Sequence, residues 1–296
     1  MRIGVDLGGS KIEVIVLGDA GEVLLRERVA TPQGDYIATV TAVAGLVAAA
    51  AKKIGAGDTA TRVGIGIPGA ESHATGLIKN ANSTCLIGKP LKRDLEAALQ
   101  REVRLANDAN CFALSEAVDG AGAGAQTVFG VILGTGVGGG IVIEGKVLTG
   151  ANAIAGEWGH NPMPGEHHKD VCYCGRKGCI ELYLSGPGLV RDHRRAASAD
   201  CSPTEIAQRA AAGDTDCEAT LQRYEARLAR ALAQVINILD PDVIVLGGGL
   251  SNIERLYANV PRLWGEQVFS DRVATKLLKH RHGDSSGVRG AAWLWN

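Results

Sequence analysis

Three cysteines fall within eight residues in "CYCGRKGC": Cys172, Cys174 and Cys179. Clustered thiolates are soft metal ligands, and Gly175 and Gly178 permit a tight turn between them. His160, His167 and His168 stand shortly before them, and any one of these would complete a Cys₃His tetrahedron, the ligand set of a closed, structural zinc site. A redox pair is the weaker reading, because the spacing is C-x-C rather than C-x-x-C and no strand-to-helix context precedes it. Plain surface thiols are the bland alternative, which the clustering argues against. The remaining cysteines, Cys85, Cys111, Cys201 and Cys217, are scattered and carry no assigned function. Seven cysteines in all, an odd number, fit reduced thiols or metal ligands better than a disulfide framework.

Glycine supplies a second chemistry. "GTGVGGG", Gly134 to Gly140, satisfies G-x-G-x-x-G after a strand, but a dinucleotide fingerprint needs a helix to open on those glycines. Here "IVIEG" follows, so the glycines turn a hairpin. Such a turn can still aim backbone N–H groups at phosphate oxygens, with no side chain in the way. "DLGGSK" offers the same device with Asp6 ahead of it and Ser10 and Lys11 behind, and "LGGG", containing Gly248, is a third cluster after a strand. Three of them favour a cleft that cradles a nucleotide triphosphate between lobes. In "LANDAN", Asp108 lies where a strand gives way to a helix. Either Asn107 or Asp108 caps that helix, or the carboxylate serves as a general base on a sugar hydroxyl, with the flanking amides orienting a polyol.

The elements that position these residues follow from periodicity. Strands are expected at 2–9, 11–18, 22–30 and 62–69, helices at 36–53 and 91–103, and a short strand running into a helix from 103 onward. From residue 127 the strand, glycine turn, strand pattern returns, which predicts two related lobes. A helix over 219–240 leads into a buried strand over 241–249, and "HGDSSGVRGAAWLW" closes as a helix. At 296 residues two lobes are expected: 1–115, joined by the C-terminal helix 284–296, and 116–283. The net charge of −1 provides no footprint for nucleic acid or an anionic membrane. The chain opens directly into a strand without a leader, and its apolar runs read as too short to span a bilayer, so a cytoplasmic protein is expected.

With "DLGGSK", "NDAN", "GTGVGGG", "GEWGH" and "CYCGRKGCIE" in this order, the chain resembles the ROK family of bacterial sugar kinases over essentially its whole length. Within it, "KNANST", "EVRLANDANC", "NILDPDVIVLGGG" and "HGDSSGVRGAAWLW" look most like bacterial fructokinases that also accept mannose. The resemblance implies an actin-like (ribonuclease H-like) ATPase fold, two α/β lobes closing over ATP and sugar. It implies transfer of the γ-phosphoryl group of Mg²⁺-ATP to the 6-hydroxyl of D-fructose, with Asp108 as catalytic base. Gly4, Val5, Asp6, Leu7, Gly8, Gly9, Ser10 and Lys11 match the first phosphate loop; Ser10 replaces the usual Thr and keeps its hydroxyl. Leu133, Gly134, Thr135, Gly136, Val137, Gly138, Gly139 and Gly140 match the second, and Gly248 joins them. Asn82, Asn107, Asp108, Glu157, His160 and Glu181 match the positions that hold sugar hydroxyls. The family pattern assigns His160 to a structural Zn²⁺ with Cys172, Cys174 and Cys179, so the metal is expected to shape the sugar site rather than touch phosphate. Glucokinase and N-acetylhexosamine kinase share these motifs and are the alternatives. A non-catalytic sugar sensor or repressor is disfavoured, since the family's repressors add an N-terminal helix-turn-helix for which the strand from Arg2 leaves no room. The family commonly dimerises.

Overall fold

The computed structural model of the chain describes residues 1–55, 61–167 and 170–296. Apolar runs rich in β-branched residues form β1 (Arg2–Leu7) and β2 (Lys11–Leu17), paired antiparallel across the glycine turn, and β3 (Val23–Ala30) continues the meander. Helix α1 (Tyr36–Lys53) starts on Asp35, whose carboxylate accepts the Ala38 N–H. Then come β4 (Arg62–Ile67), the two-residue strands β5 (Ala70–Glu71) and β6 (Ile78–Lys79), α2 (Leu91–Leu99), β7 (Val103–Asn107) and α3 (Asp108–Val118). The sheet order is β3-β2-β1-β4-β7, with β4 parallel to both β1 and β7.

The pattern then repeats. β8 (Thr127–Leu133), β9 (Val137–Ile143) and β10 (Lys146–Val147) are followed by α4 (Glu181–Leu184), α5 (Gly186–Ala197), α6 (Pro203–Ala211) and α7 (Thr215–Leu239). β11 (Val243–Gly247), α8 (Arg255–Trp264), β12 (Lys276–Lys279) and α9 (Ser286–Trp293) complete the chain. The second sheet is ordered β10-β9-β8-β11-β12, with β11 parallel to β8 and β12. Each sheet thus has three consecutive neighbouring strands and then two that arrive by crossover. The repeat anticipated from the glycine hairpins is a repeat of sheet order.

The chain divides into two units, Met1–Gly124 with Gly140–Ala155 and Arg281–Asn296, and Ala125–Gly139 with Gly156–His280. The breaks expected at 115/116 and 283/284 therefore lie at 124/125 and 280/281, and a piece of the middle returns to the first unit. Glu116 is the physical reason for the outer two. Its fully buried carboxylate accepts the N–H of Ala121 at 2.9 Å, the N–H of Arg281 at 3.0 Å and the hydroxyl of Ser286 at 2.8 Å. Asp119 adds Arg289 and the indole N–H of Trp293. The returning piece begins at Gly140, where a Cβ would lie 2.6 Å from the Ala109 carbonyl oxygen.

Other expectations are refined. α2 stops at Leu99 rather than 103, because Gln100 turns left-handed at φ 51°. α7 starts at Thr215 rather than 219, since the Asp214 side chain accepts two N–H groups of its first turn. Among the described residues, α1 alone is long and apolar enough to cross a membrane, contrary to the reading that every apolar run is too short. Its Val43, Leu46, Val47, Ala50 and Ala51 instead pack in the first unit's core with Ile3, Val14 and Val16.

Helix α9 approaches its neighbours at backbone distance. A Cβ at Gly4 would lie 2.2 Å from the Val288 carbonyl oxygen, one at Gly64 1.9 Å from that of Ala291, and one at Gly290 1.6 Å from that of Cys111. Only glycine fits these positions without movement of a strand or helix. Gly290→Ala is expected to lower the unfolding free energy by about 3 kcal/mol, read by denaturant unfolding; a loss below about 0.5 kcal/mol would show that the helix seam is loose.

Candidate functional site

The first unit gathers one group of the expected residues. Gly8 donates its N–H to the Lys11 carbonyl at 3.0 Å and closes the turn, and the Thr31 hydroxyl braces it from Gly8's own carbonyl at 2.7 Å. Gly9, Ser10 and Lys11 are exposed, with Gly9 facing the Ser83 hydroxyl, one residue past the exposed Asn82. Gly4, Val5 and Leu7, matched to the phosphate loop by resemblance, are instead buried in β1 and serve packing.

At "NDAN" both side chains meet the start of α3. Asn107 is the residue that caps α3, its side-chain oxygen accepting the Ala109 N–H at 2.9 Å while its amide donates to the Gly69 carbonyl at 3.2 Å. Asp108 is the first helical residue, and its Oδ1 also accepts the Ala109 N–H, at 2.8 Å. Sequence reasoning missed Gly69. It sits at φ 92° with its Cβ direction blocked by Ala81, so it ties the Asn107 side chain to the loop carrying Asn82. The Pro-Gly pair at the strand end was its signal.

Asp6 lies at the end of β1 where three elements meet. A Cβ at Gly287, in the first turn of α9, would lie 3.6 Å from its Oδ2, and one at Gly66 in β4 3.7 Å from its Oδ1 and 3.2 Å from Cys111 Sγ. Burial pushes the Asp6 carboxyl up to about 6, and the negative charges of Asp108 and Glu13 add to that effect, against Lys11 and Arg28. The Cys111 thiol is likewise pushed well up, by burial first and then by Asp6 and Asp108. The pocket accumulates carboxylate charge, which favours a cation.

The second unit gathers the rest. Between β8 and β9 the Gly134 N–H donates to the Gly136 carbonyl at 3.0 Å, and the Gly134 carbonyl accepts the N–H of Gly186, the first residue of α5, at 2.8 Å. Thr135 is exposed at the tip; Gly134, Gly136 and Gly138 are partly exposed. Leu133, Val137 and Gly139 are buried, and Gly140 belongs to the first unit, so the exposed part of this loop is shorter than the motif. Gly248 is exposed at φ 80°, with the Leu133 backbone where a Cβ would stand. The segment Glu157–His160 packs on the start of β9: Cβ atoms at Gly139 and Gly159 would strike Trp158 Cδ1 at 2.6 Å and the Val137 carbonyl oxygen at 2.2 Å.

His160 Nδ1 lies 3.8 Å from Cys172 Sγ, and Cys174 Sγ lies 3.6 Å from Cys179 Sγ. These four ligand atoms fall within 4.8 Å of one another. Tetrahedral Zn–S bonds of about 2.3 Å space ligand atoms by roughly 3.7 Å, so the donor set and its spacing fit zinc. His167 is exposed and outside this group, and His168 lies outside the described residues. Burial pushes the thiols of Cys172 and Cys179 up, the latter to about 12. At Cys174 burial is outweighed by the Arg176 backbone N–H and the two neighbouring thiols, which hold it below the usual range. The far ring nitrogen of His160, Nε2, meets the Tyr173 hydroxyl at 3.2 Å, a partner that nothing in the sequence spacing announced. Glu157 is exposed, and Glu181 opens α4 with its carboxylate on the glycine hairpin.

Asp6 generates a prediction. Its carboxyl titrates near 6 when folded and near the usual 3.8 when unfolded, so the folded chain binds more protons between those values and its stability falls as pH rises through them. Asp6→Asn removes this cost. The ligand-free variant is expected to gain about 2 kcal/mol at pH 7.5, a gain that shrinks below pH 6 and vanishes near pH 4. Thermal unfolding across pH reads it, and an equal or lower midpoint at pH 7.5 counts against the charge crowding.

Over residues 2–296 the chain matches the ROK family. It is 41% identical over 302 residues to the N-acetyl-D-glucosamine kinase of Photobacterium profundum, covering 99% of each protein. Among solved structures it is similar to a ROK hexokinase from Thermus thermophilus, with a TM-score of 0.86 and 32% identity over 99% of this chain and 97% of that one. A ROK family glucokinase from Streptomyces griseus, in complex with glucose and AMPPNP, follows at a TM-score of 0.79 and 30% identity, over 98% and 97%. The doubled sheet order is that of the actin-like ATPases. Matched along nearly its whole length in sequence and in fold, the chain belongs to the ROK family.

Proposed function

We propose that this ATP-dependent ROK-family sugar kinase phosphorylates the 6-hydroxyl of N-acetyl-D-glucosamine. Fructose, with mannose beside it, is the expectation this replaces. The N-acetyl-D-glucosamine kinase similar over 99% of the chain supports the N-acetylhexosamine alternative better. The observation that carries the chemistry is the Asp108 carboxylate, held in the first turn of α3 behind the Asn107 cap.

Asp108 accepts the proton of the sugar hydroxyl as that oxygen bonds to the γ-phosphorus. The bond from γ-phosphorus to the β,γ-bridging oxygen breaks, and ADP leaves with the electron pair. In the first unit, Asn82 and Asn107 are the residues assigned to sugar hydroxyls by the family pattern; in the second, Glu157, His160 and Glu181 are. In the first unit Gly9, Ser10 and Lys11, and in the second Thr135, Gly136, Gly138 and Gly248, are the at least partly exposed turn residues assigned to phosphate oxygens. Mg²⁺, when bound, offsets phosphate charge, and Asp6 is the carboxylate here suited to hold it. His160, Cys172, Cys174 and Cys179 would hold a structural Zn²⁺, which would brace the loop between Glu157 and Glu181 rather than act on phosphate. Dependence on ATP fits a cytoplasmic protein.

A hexose panel with ATP, followed by ADP release, tests the substrate. N-acetyl-D-glucosamine is expected to exceed fructose in kcat/KM by about 10-fold or more; a preference for fructose or mannose would return the assignment to the fructokinase reading. Asp108→Asn is expected to lower kcat by about 10²–10⁴-fold while sugar affinity, by calorimetry, stays within a few-fold. Wild-type turnover in that variant would remove Asp108 as base. Metal analysis is expected to find about one zinc per chain, lost in Cys174→Ser together with sugar affinity. Full sugar affinity in folded, zinc-free protein would separate the metal from the sugar site.

A further inference from the structure

We infer that Glu181 divides its two carboxylate oxygens between the two halves of the reaction: Oε2 holds the second glycine hairpin in its phosphate-cradling shape, and Oε1 is left for the sugar. This rests on the kinase reading above and goes beyond it, because there Glu181 serves the sugar alone.

Oε2 accepts the Val137 N–H at 2.9 Å across 44 residues of sequence. It also stands where Gly136 lacks a side chain, 2.6 Å from the position a Cβ would take. A carboxylate accepting a backbone N–H makes a charge-assisted bond, stronger than a neutral one. The other clamp on the hairpin is the Gly186 N–H on the Gly134 carbonyl. One end of the turn is therefore tied to the start of α5 and the other to the start of α4.

Glu181 is itself fixed by the thiol-rich loop. The Leu182 N–H donates to the Cys179 carbonyl and the Ile180 N–H to the Asn161 carbonyl, 2.9 and 2.8 Å. Among the described residues, its second oxygen, Oε1, meets only a long contact from the Cys172 thiol, 3.9 Å, too weak to hold it. A sugar hydroxyl that donates to Oε1 restrains the same side chain that restrains the hairpin. Sugar and nucleotide then stabilise each other's binding through one residue, and the coupling is reciprocal. Glu181 is a positioning residue toward the nucleotide.

Calorimetry with AMPPNP on the full, zinc-loaded chain without sugar tests this, because a sugar-only role leaves that affinity untouched. Glu181→Ala is expected to weaken AMPPNP by about 10-fold. Glu181→Gln, whose amide oxygen still accepts the Val137 N–H, is expected to recover affinity to within about 3-fold of wild type. Hydrogen exchange over residues 134–140 should be faster in the Ala variant than in the Gln variant. If the Ala variant does not fold, Glu181→Asp, one methylene too short to reach Val137, takes its place with the same expected weakening. AMPPNP affinity within about 2-fold of wild type in the Ala or Asp variant, with unchanged hairpin exchange, overturns the inference. A wild type that binds AMPPNP but phosphorylates no hexose fails the substrate reading instead, and leaves the hairpin result to be judged by the variants.

Discussion

The backbone-to-backbone seating of α9 is the constraint on which the first unit depends. Three glycines, Gly4, Gly64 and Gly290, keep their own positions in the seam free of side chains, so the helix lies directly on β1, β4 and α3. That closeness brings Gly287 beside the Asp6 carboxylate and brings α3, with Asp108 at its start, over the same sheet end. A seam lined with alanine would push the helix out by a methyl radius at each crossing. The Asp6 carboxylate would then lose part of the wall that buries it. Packing density and site electrostatics are one property here: the tight seam raises the Asp6 carboxyl to about 6 because it excludes water.

Much of this was legible in the sequence where the signal is local. The apolar runs of β1 and β2, the Ala-rich stretch of α1 and the glycine hairpins announced themselves by period and by turn chemistry, and "CYCGRKGC" announced a ligand set by spacing alone. The recurrence of a hairpin after residue 127 pointed to two related lobes, and the structure gives the two sheets the same order. Choosing His160 over His167 and His168 needed the family pattern, since proximity to Cys172 alone favours His168; the structure then brings His160 Nδ1 to the thiols.

What escaped was non-local. That Asn107 rather than Asp108 caps α3 depends on side-chain reach to Ala109 and Gly69, and both residue types cap equally well in a sequence. The unit boundary was misplaced because Glu116 and Asp119 reach across some 165 residues to the C-terminal segment, and a buried acid mid-helix looks like a solvated one. Gly4, Val5 and Leu7 came with the phosphate-loop motif, yet β1 is the central strand of its sheet, between β2 and β4, and buries them. Helices α5, α6 and α8 went unread although each buries one face at helical spacing, as Leu256, Val260 and Trp264 do in α8. The Tyr173 hydroxyl on His160 and the Glu181 carboxylate on Val137 are contacts between side chain and loop that no periodicity encodes.

The discontinuity of the first unit bears on how the protein is made. Its sheet strands are all synthesised by residue 107, but the helix that covers Gly4 and Gly64 comes only with residues 286–293. Between those events the ribosome must produce the entire second unit. The second unit has only a short strip, Ala125–Gly139, set apart from its main segment, so it can mature while the first waits with a bare glycine-lined face. Synthesis order thus sets assembly order: the pocket holding the carboxylates is sealed last, and a nascent chain stalled before α9 carries every motif of a phosphate loop without the wall that gives Asp6 its charge state.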